Sequence, residues 1–427
     1  MYPNLYYIFR DWFNIKLEGL KFINSFGFFV ALAFIIAAIV LTAELRRKGK
    51  QGLLNYEEAK VTVGKPAGFG ELLLNFIIGF LFGFKFLGAL VSDTPVTTDP
   101  QSYIFSSQGS WPAGILLGLV LAGIKWYEKN KQKLSKPEER TIRIWPHDRV
   151  GDIVIFAAVF GFAGAKLFDN FENWDRFVKD PIGNLFSASG LTFYGGLICA
   201  ALAIWWYAKR HKIGFWHLND AAAPALMLAY AIGRVGCQVS GDGDWGIINS
   251  AYQADAMGNL SSATAQDFSA ALQLHKTYYL RDAVTDLSQV QHISFSGVSW
   301  LPDWFFAYSY PHNVNGDGIQ MATTNWDQYN YMLPIPVFPT PLYEIIACTI
   351  LFVVIWLLRK QFKVAGTLFG FYLLVNGLER FFIEKIRVNT QYENLPFQPT
   401  QAEIISFCLI ITGVFLMAYL PKRVKKG

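Results

Sequence analysis

Charge is what this chain of 427 residues has least of: Lys, Arg, Asp and Glu make up 16% of it, against about 25% in an ordinary soluble domain. With 53% hydrophobic residues beside that, a string of soluble domains is excluded. Cysteine is scarce as well. Cys199, Cys237, Cys348 and Cys408 fall in or at the ends of apolar runs and form no CxxC, so neither a disulfide framework nor a zinc site is indicated. The six histidines lie in the connections between those runs, which removes the usual intramembrane metal ligands, and no cofactor is called for. The net charge of +5 is spread over loops rather than gathered on one face, which speaks against nucleic acid. The first apolar run is followed, not preceded, by its basic cluster Arg46-Arg47-Lys48, the reverse of a cleavable signal.

What the chain has instead is long apolar runs, with 37 Phe, 20 Tyr and 13 Trp. A membrane span needs roughly 17–25 mostly apolar residues. Nine runs qualify: 24–44, 70–91, 112–127, 151–169, 190–208, 219–237, 340–358, 365–386 and 401–420, the third only by borrowing flanking residues. Of the 37 Lys and Arg, 24 fall in loops 45–69, 125–150, 209–218 and 359–364 and after Leu420; the alternate connections hold 8. The positive side is the cytoplasmic one. The expected fold is therefore an all-α polytopic membrane protein of about nine transmembrane helices, N-terminus outside and C-terminus cytoplasmic.

Two runs look alike. Gly70-Glu71 matches Gly151-Asp152, and Gly83-Phe84-Lys85 falls level with Gly164-Ala165-Lys166; Ala113-Gly114-Ile115 then stands beside Gly195-Gly196-Leu197. A duplicated helix pair, 70–127 and 151–208, is the expectation, although small residues at such spacing also serve helix packing in lipid by themselves. Residues 1–246 and 333–427 are read as the transmembrane part, and 247–332 as an extracytoplasmic insert. The outer stretch 238–339 holds nine Asp and no Glu, and aromatic content such as Trp300 to Tyr308 predicts packing rather than disorder.

Intramembrane arginines are the sharpest signal, because a charge at the bilayer centre costs at least about 2.5–3.5 kcal/mol on insertion scales and so faces a polar interior or partner. Arg234 sits in Gly233-Arg-Val-Gly-Cys237 at the outer end of the sixth run, before the turn Ser240-Gly-Asp-Gly-Asp-Trp-Gly246. Arg380 sits near the outer end of the eighth, with Glu384 four residues on and Asn376 four residues back on its face. An Arg380–Glu384 bridge that is purely structural fits this spacing as well as ligand contact does. Arg387 is read as snorkelling to the outer headgroups. Asp242 and Asp244 lack the ligand count of a calcium loop, so no metal is expected. Tyr194, in Phe193-Tyr-Gly-Gly-Leu197, reads by itself as a packed aromatic.

Taken in order, these motifs resemble the prolipoprotein diacylglyceryl transferase family from Gly151 to the end and over the first run, apart from much of 247–332. Asp152 through Gly164-Ala165-Lys166, Phe193 to Leu197, Gly233 to Cys237 with Ser240-Gly241-Asp242 and Trp245-Gly246, Phe338-Pro-Thr-Pro-Leu-Tyr-Glu344, and Gly377-Leu-Glu-Arg-Phe381 with Glu384 and Arg387 each match a family signature. Tyr194 stands where the family pattern has a histidine considered important for catalysis. Phe26, Cys237, Phe338, Pro341 and Asn376 replace the commoner Tyr, Asn, His, Gln and Tyr, and Gly243 or Asp244 is an extra residue in the signature loop.

The resemblance implies transfer of a diacylglyceryl group from phosphatidylglycerol to the lipobox cysteine of a preprolipoprotein, in the bacterial inner membrane, with a thioether as product. It implies Arg234, Arg380, Tyr194, Asp242 and Glu384 as the catalytic set. Arg234, Arg380, Gly195, Gly196, Gly241, Gly246, Tyr343 and Glu344 would hold the lipid. The chemistry agrees: guanidinium groups match phosphate oxygens bidentately and act most strongly where water is excluded. The thiol, with a pKa near ~8.5 when free, must also lose its proton. The changed position 194 leaves a second reading open, an anionic-lipid binding or transport protein using the same arginines; an anion channel is a third.

Overall fold

The computed structural model describes residues 1–91, 103, 106–186, 190, 192–280, 286–322, 325–389, 392 and 395–424. Each of the nine apolar runs contains a helix among the described residues. After α1 (Leu5–Phe13) come α2 (Ser25–Lys50), α3 (Phe69–Phe82, carried on by a π turn at Gly83–Leu87), α4 (Trp111–Lys131), α5 (Val150–Glu172), α6 (Phe193–Arg210) and α7 (Phe215–Ser240). The insert holds α8 (Ala265–Leu274), and α9 (Thr340–Leu358), α10 (Thr367–Glu384) and α11 (Gln401–Val424) complete the order. Among the described residues, six helices, Ser25–Lys50, Phe69–Leu90, Pro146–Glu172, Phe215–Ser240, Thr340–Leu358 and Gln401–Arg423, are long and apolar enough to cross a bilayer. The chain is a polytopic, mainly helical membrane protein. The short third run gains its length at both ends: α4 has 21 residues and starts where the Ser110 hydroxyl accepts from the Ala113 amide.

Two of the basic loops are not plain loops. Glu57–Val63 forms β1 and Glu138–Ile144 forms β2, paired antiparallel. Their Val-Thr-Val and Ile-Arg-Ile endings carry the two-residue alternation of a strand, which their many charges obscure. The insert adds three further two-stranded pairings, so the expectation of an all-helical chain is corrected at these places.

By its internal contacts the chain divides into two units. One comprises Met1–Ile8, Asn24–Val40 and Asn219–Gly427; the other comprises Phe9–Ile23 and Leu41–Leu218. In the second, α3 packs on α4 and α5 on α6. The two pairs share their contacts. A side chain at Gly83 would strike the Ala113 carbonyl, and one at Gly164 would strike the Gly195 carbonyl. The Ser110 amide bonds the Phe84 carbonyl at 2.9 Å, and the Thr192 amide bonds the Ala165 carbonyl at 3.1 Å. Lys85 Nζ donates to the carbonyls of Tyr103, Ser106 and Gln108 at 2.6–2.8 Å, while Lys166 Nζ donates to that of Gly190 at 3.3 Å.

The first unit packs α7, α9 and α10 around Met227, Ala231, Cys348, Ile355 and Leu368. Asp220 of α7, fully buried, accepts from the amides of Gly366 and Phe369, each at 2.9 Å. Those amides have no helical acceptor at the start of a helix, so Asp220 sets α10 against α7 and with it the heights of Arg380 and Arg234. The insert is packed as its aromatics predict: Ile248, Phe268, Leu272, Tyr310, Leu333, Ile335 and Val337 form one core. Isolated bridges pair Val337 with Ile248 and with Tyr308, tying both ends of the insert to its middle.

Candidate active site

Arg234 lies six residues before the end of α7, and the chain beyond doubles back through Gly241, whose φ of +65° is a conformation that favours glycine. The turn returns Asp244 to Arg234, and the two form a salt bridge. Gly246 fixes the far side. Its amide bonds the Phe338 carbonyl at 2.8 Å, it bridges Arg387, and a Cβ there would meet the Ile386 carbonyl and Thr340. Only glycine allows these three backbones so close. The result carries Arg387, just past α10, to Asp244, with Nη2 2.5 Å from Oδ1.

Glu344, in the first turns of α9, is the hub. It is fully buried; its Oε1 accepts from the Tyr230 hydroxyl at 2.7 Å and from Arg380 Nη1 at 3.3 Å, and its Oε2 is ion-paired with Arg234 Nε at 3.1 Å, with Arg387 Nη1 3.9 Å away. Glu384 holds the other side of Arg380 at 3.0 Å, and is itself held by Asn389 at 2.5 Å and Thr400 at 2.7 Å. Three guanidiniums are thus balanced by Glu344, Glu384 and Asp244. Each offers five N–H donors, only part of which these carboxylates occupy, so the arrangement suits a phosphate whose oxygens accept in pairs.

Two neighbouring carboxyls are pushed apart. Burial, and next the charge of Asp244, raise the Asp242 carboxyl above the ordinary range. Burial would raise Asp244 as well, but Arg234 and Arg387 pull it below that range. Asp242 Oδ1 is closed off from solvent and has no hydrogen-bond partner among the described residues. Possible ligand atoms of Cys237, Asp242 and Asp244 lie within 4.8 Å of one another, yet Asp244 is already engaged by two guanidiniums, a setting that repels a cation.

Of the residues singled out in the sequence, Arg234, Arg380, Glu344 and Glu384 meet in this cluster, and Asp242, Gly241 and Gly246 form its outer turn. Tyr343 is turned elsewhere: its hydroxyl donates to the Phe305 carbonyl at 2.7 Å. Tyr194, Gly195 and Gly196 belong to the other unit, at the start of α6, where both glycines sit against α5. Arg387 is corrected. Its side chain is 10% exposed and ion-paired, not extended to headgroups. Sequence reasoning passed over Asp244 and Tyr230 as site members. The signal for Asp244 was the odd length of its turn; Tyr230, four residues before Arg234 and with its ring 5.2 Å from the guanidinium, carried only helical spacing. Glu379 is also buried, and neither of its oxygens has a hydrogen-bond partner among the described residues.

A model of the prolipoprotein diacylglyceryl transferase family matches residues 111–419. The phosphatidylglycerol–prolipoprotein diacylglyceryl transferase of Oceanobacillus iheyensis is 26% identical over 281 residues, covering 65% of this chain and 76% of that protein. The enzyme of the same name from Pseudomonas aeruginosa is 23% identical over 295 residues, 68% of this chain and 83% of its own length. That of Leptospira interrogans is 32% identical over 156 residues, 31% of this chain and 46% of its own. The chain belongs to the prolipoprotein diacylglyceryl transferase family.

Proposed function

We infer that the protein transfers the diacylglyceryl group of phosphatidylglycerol to the cysteine thiol of a preprolipoprotein lipobox. The observation that carries this is the Arg234–Glu344–Arg380 arrangement, guanidiniums oriented by one buried carboxylate at the outer ends of α7 and α10. The substrate phosphodiester carries one negative charge, and the glycerol phosphate that leaves concentrates more. Arg234 and Arg380 bind the phosphate and stabilise that growing charge without reorganising. Glu344, Glu384 and Tyr230 orient the guanidiniums. The thiolate sulfur attacks the glyceryl carbon bearing the phosphate oxygen; the C–O bond breaks, its electron pair leaves with glycerol phosphate, and a C–S thioether forms. The thiol proton passes to Asp242, whose raised carboxyl beside an ionised Asp244 follows the pattern by which paired acids divide acid and base roles. A non-catalytic lipid carrier needs no such division. Mass measurement of a lipobox peptide after incubation with the protein and phosphatidylglycerol tests the reading.

All nine helices cross the bacterial inner membrane in this reading. The basic loops face the cytoplasm, and the insert lies outside beside the arginine site. Residues 70–127 and 151–208 are copies of one helix pair, and the equivalence extends to the strands: Lys60 and Thr141, 81 positions apart like Gly70 and Gly151, face each other across the sheet. Every β1–β2 partner is symmetric about that pair, as expected of two copies meeting around a local two-fold axis. The packing positions are retained in both copies, with Ala113 matching Gly195 and Gly114 matching Gly196. Position 194 is not retained, its counterpart being Pro112. Gly195 and Gly196 serve the packing of α6 on α5, and Tyr194 is where the second copy carries a polar, hydrogen-bonding role in the reaction. Full activity in Tyr194→Phe would remove that role.

A further inference from the structure

We propose that the loop 293–304 of the insert lies in the outer leaflet of the bilayer, beside the arginine site. The loop is ordered from within. Buried Asn249 donates to the carbonyls of Phe295 at 2.9 Å and Phe306 at 3.1 Å and accepts the Phe295 amide at 3.1 Å. The Tyr252 hydroxyl bonds the Ser296 carbonyl at 2.7 Å and Asp303 at 3.1 Å. The exposed apolar side chains Ile293, Phe295, Val298, Trp300 and Trp304, 40–76% exposed, alternate with the small hydroxyls Ser294, Ser296 and Ser299; Asp303, the one charged residue of the loop, is exposed but held by Tyr252. No Asp, Glu, Lys or Arg occurs from Leu287 through Pro302, although the insert around it is acidic. An anionic headgroup layer repels aspartates but accepts this stretch, and tryptophan favours that depth.

Continuity with the spanning surface identifies the occupant. On α9 the exposed apolar residues Ile346, Ile350, Val353 and Leu357 form one stripe with alternating spacings of three and four, the stripe of a helix side turned to lipid. Tyr343 is the next position up that stripe. It packs on Phe305, with ring centroids 5.5 Å apart, and Trp304 lies beside Phe305, centroids 6.3 Å apart. The lipid-facing stripe of α9 thus runs on through Tyr343 and Phe305 into the exposed loop. Glu344, next to Tyr343 in the chain, turns the other way to the arginines. One helical turn therefore joins the lipid contact to the phosphate site, and the loop gathers lipid at the entrance.

The proposal rests on α9 crossing the membrane and on the transferase reading, so the test separates them. Protein in phosphatidylglycerol vesicles is compared with Trp300→Phe/Trp304→Phe, and the difference in fluorescence reports those two tryptophans. Lipids brominated near the top of their chains should quench that difference, and aqueous iodide should not. Quenching by iodide and indifference to brominated lipid would overturn the proposal; so would iodide protection that appears only with a lipobox peptide, which would make the loop a peptide surface. Turnover of wild-type protein in the same vesicles checks the transferase reading separately. In a second variant, Trp300→Ser/Trp304→Ser, KM for lipid should rise several-fold with kcat kept. An unchanged KM with reduced kcat would contradict a lipid-gathering role.

Discussion

Arg387 Nη2 sits 2.5 Å from Asp244 Oδ1, joining the end of α10 to the turn that follows α7, and Arg234 holds the other oxygen of the same carboxylate. Asp244 thereby couples the guanidinium of α7 with one just past the end of α10. Asp244→Asn and Arg387→Gln should each lower activity, and their double-mutant cycle should show a coupling of about 0.5–3 kcal/mol, the range for residues in one network. Additive losses would mean that the pair acts independently.

Arg234 and Arg380 should not tolerate Lys or Gln. Lys supplies a point charge where each arginine pairs with a carboxylate and, in the proposed site, would hold a phosphate as well. Arg234→Lys and Arg380→Gln should lose most turnover while still inserting and folding. Near-normal rates in either variant would take that residue out of the phosphate site.

These arginines were legible in the sequence because a charge in an apolar run needs a reason, and Glu384 because it stands one helical turn from Arg380. Arg387 was not. At the end of a run, length and composition favour snorkelling, and only the contact through Gly246, which brings three backbones together across long separations, turns it inward. Nor was the hub role of Glu344 visible, since its partners come from positions 110 and 36 residues distant. The helical, membrane-spanning character followed from hydropathy, whereas β1 and β2 were hidden by charges that suit an exposed strand as well as a loop.

Asp242 sets the expected pH dependence. As the proposed proton acceptor it would have to be ionised, and burial and Asp244 raise its pKa, so activity should be lost as pH falls through a range above that of an ordinary aspartate. Asp242→Asn should abolish most activity at every pH. A pH–rate profile of the same shape in Asp242→Asn would exclude it as the group titrating.

Sidedness is testable by labelling. Cysteines placed at Ser135 and Gln361 should be shielded from an impermeant thiol reagent in intact cells, and one at Ser262 should react, each measured against wild-type background. Labelling of Ser135 with shielding of Ser262 would invert the topology derived from 24 basic residues on one side and 8 on the other.

The most direct measurement is the mass of a lipobox peptide after incubation with the purified protein and phosphatidylglycerol. The peptide should gain one diacylglyceryl group on its cysteine, in an adduct that survives hydroxylamine as a thioether does and a thioester does not, with glycerol phosphate released in equal amount. Folded protein that binds phosphatidylglycerol yet leaves the peptide mass unchanged would contradict the account and leave the arginine cluster as a lipid-holding site without chemistry.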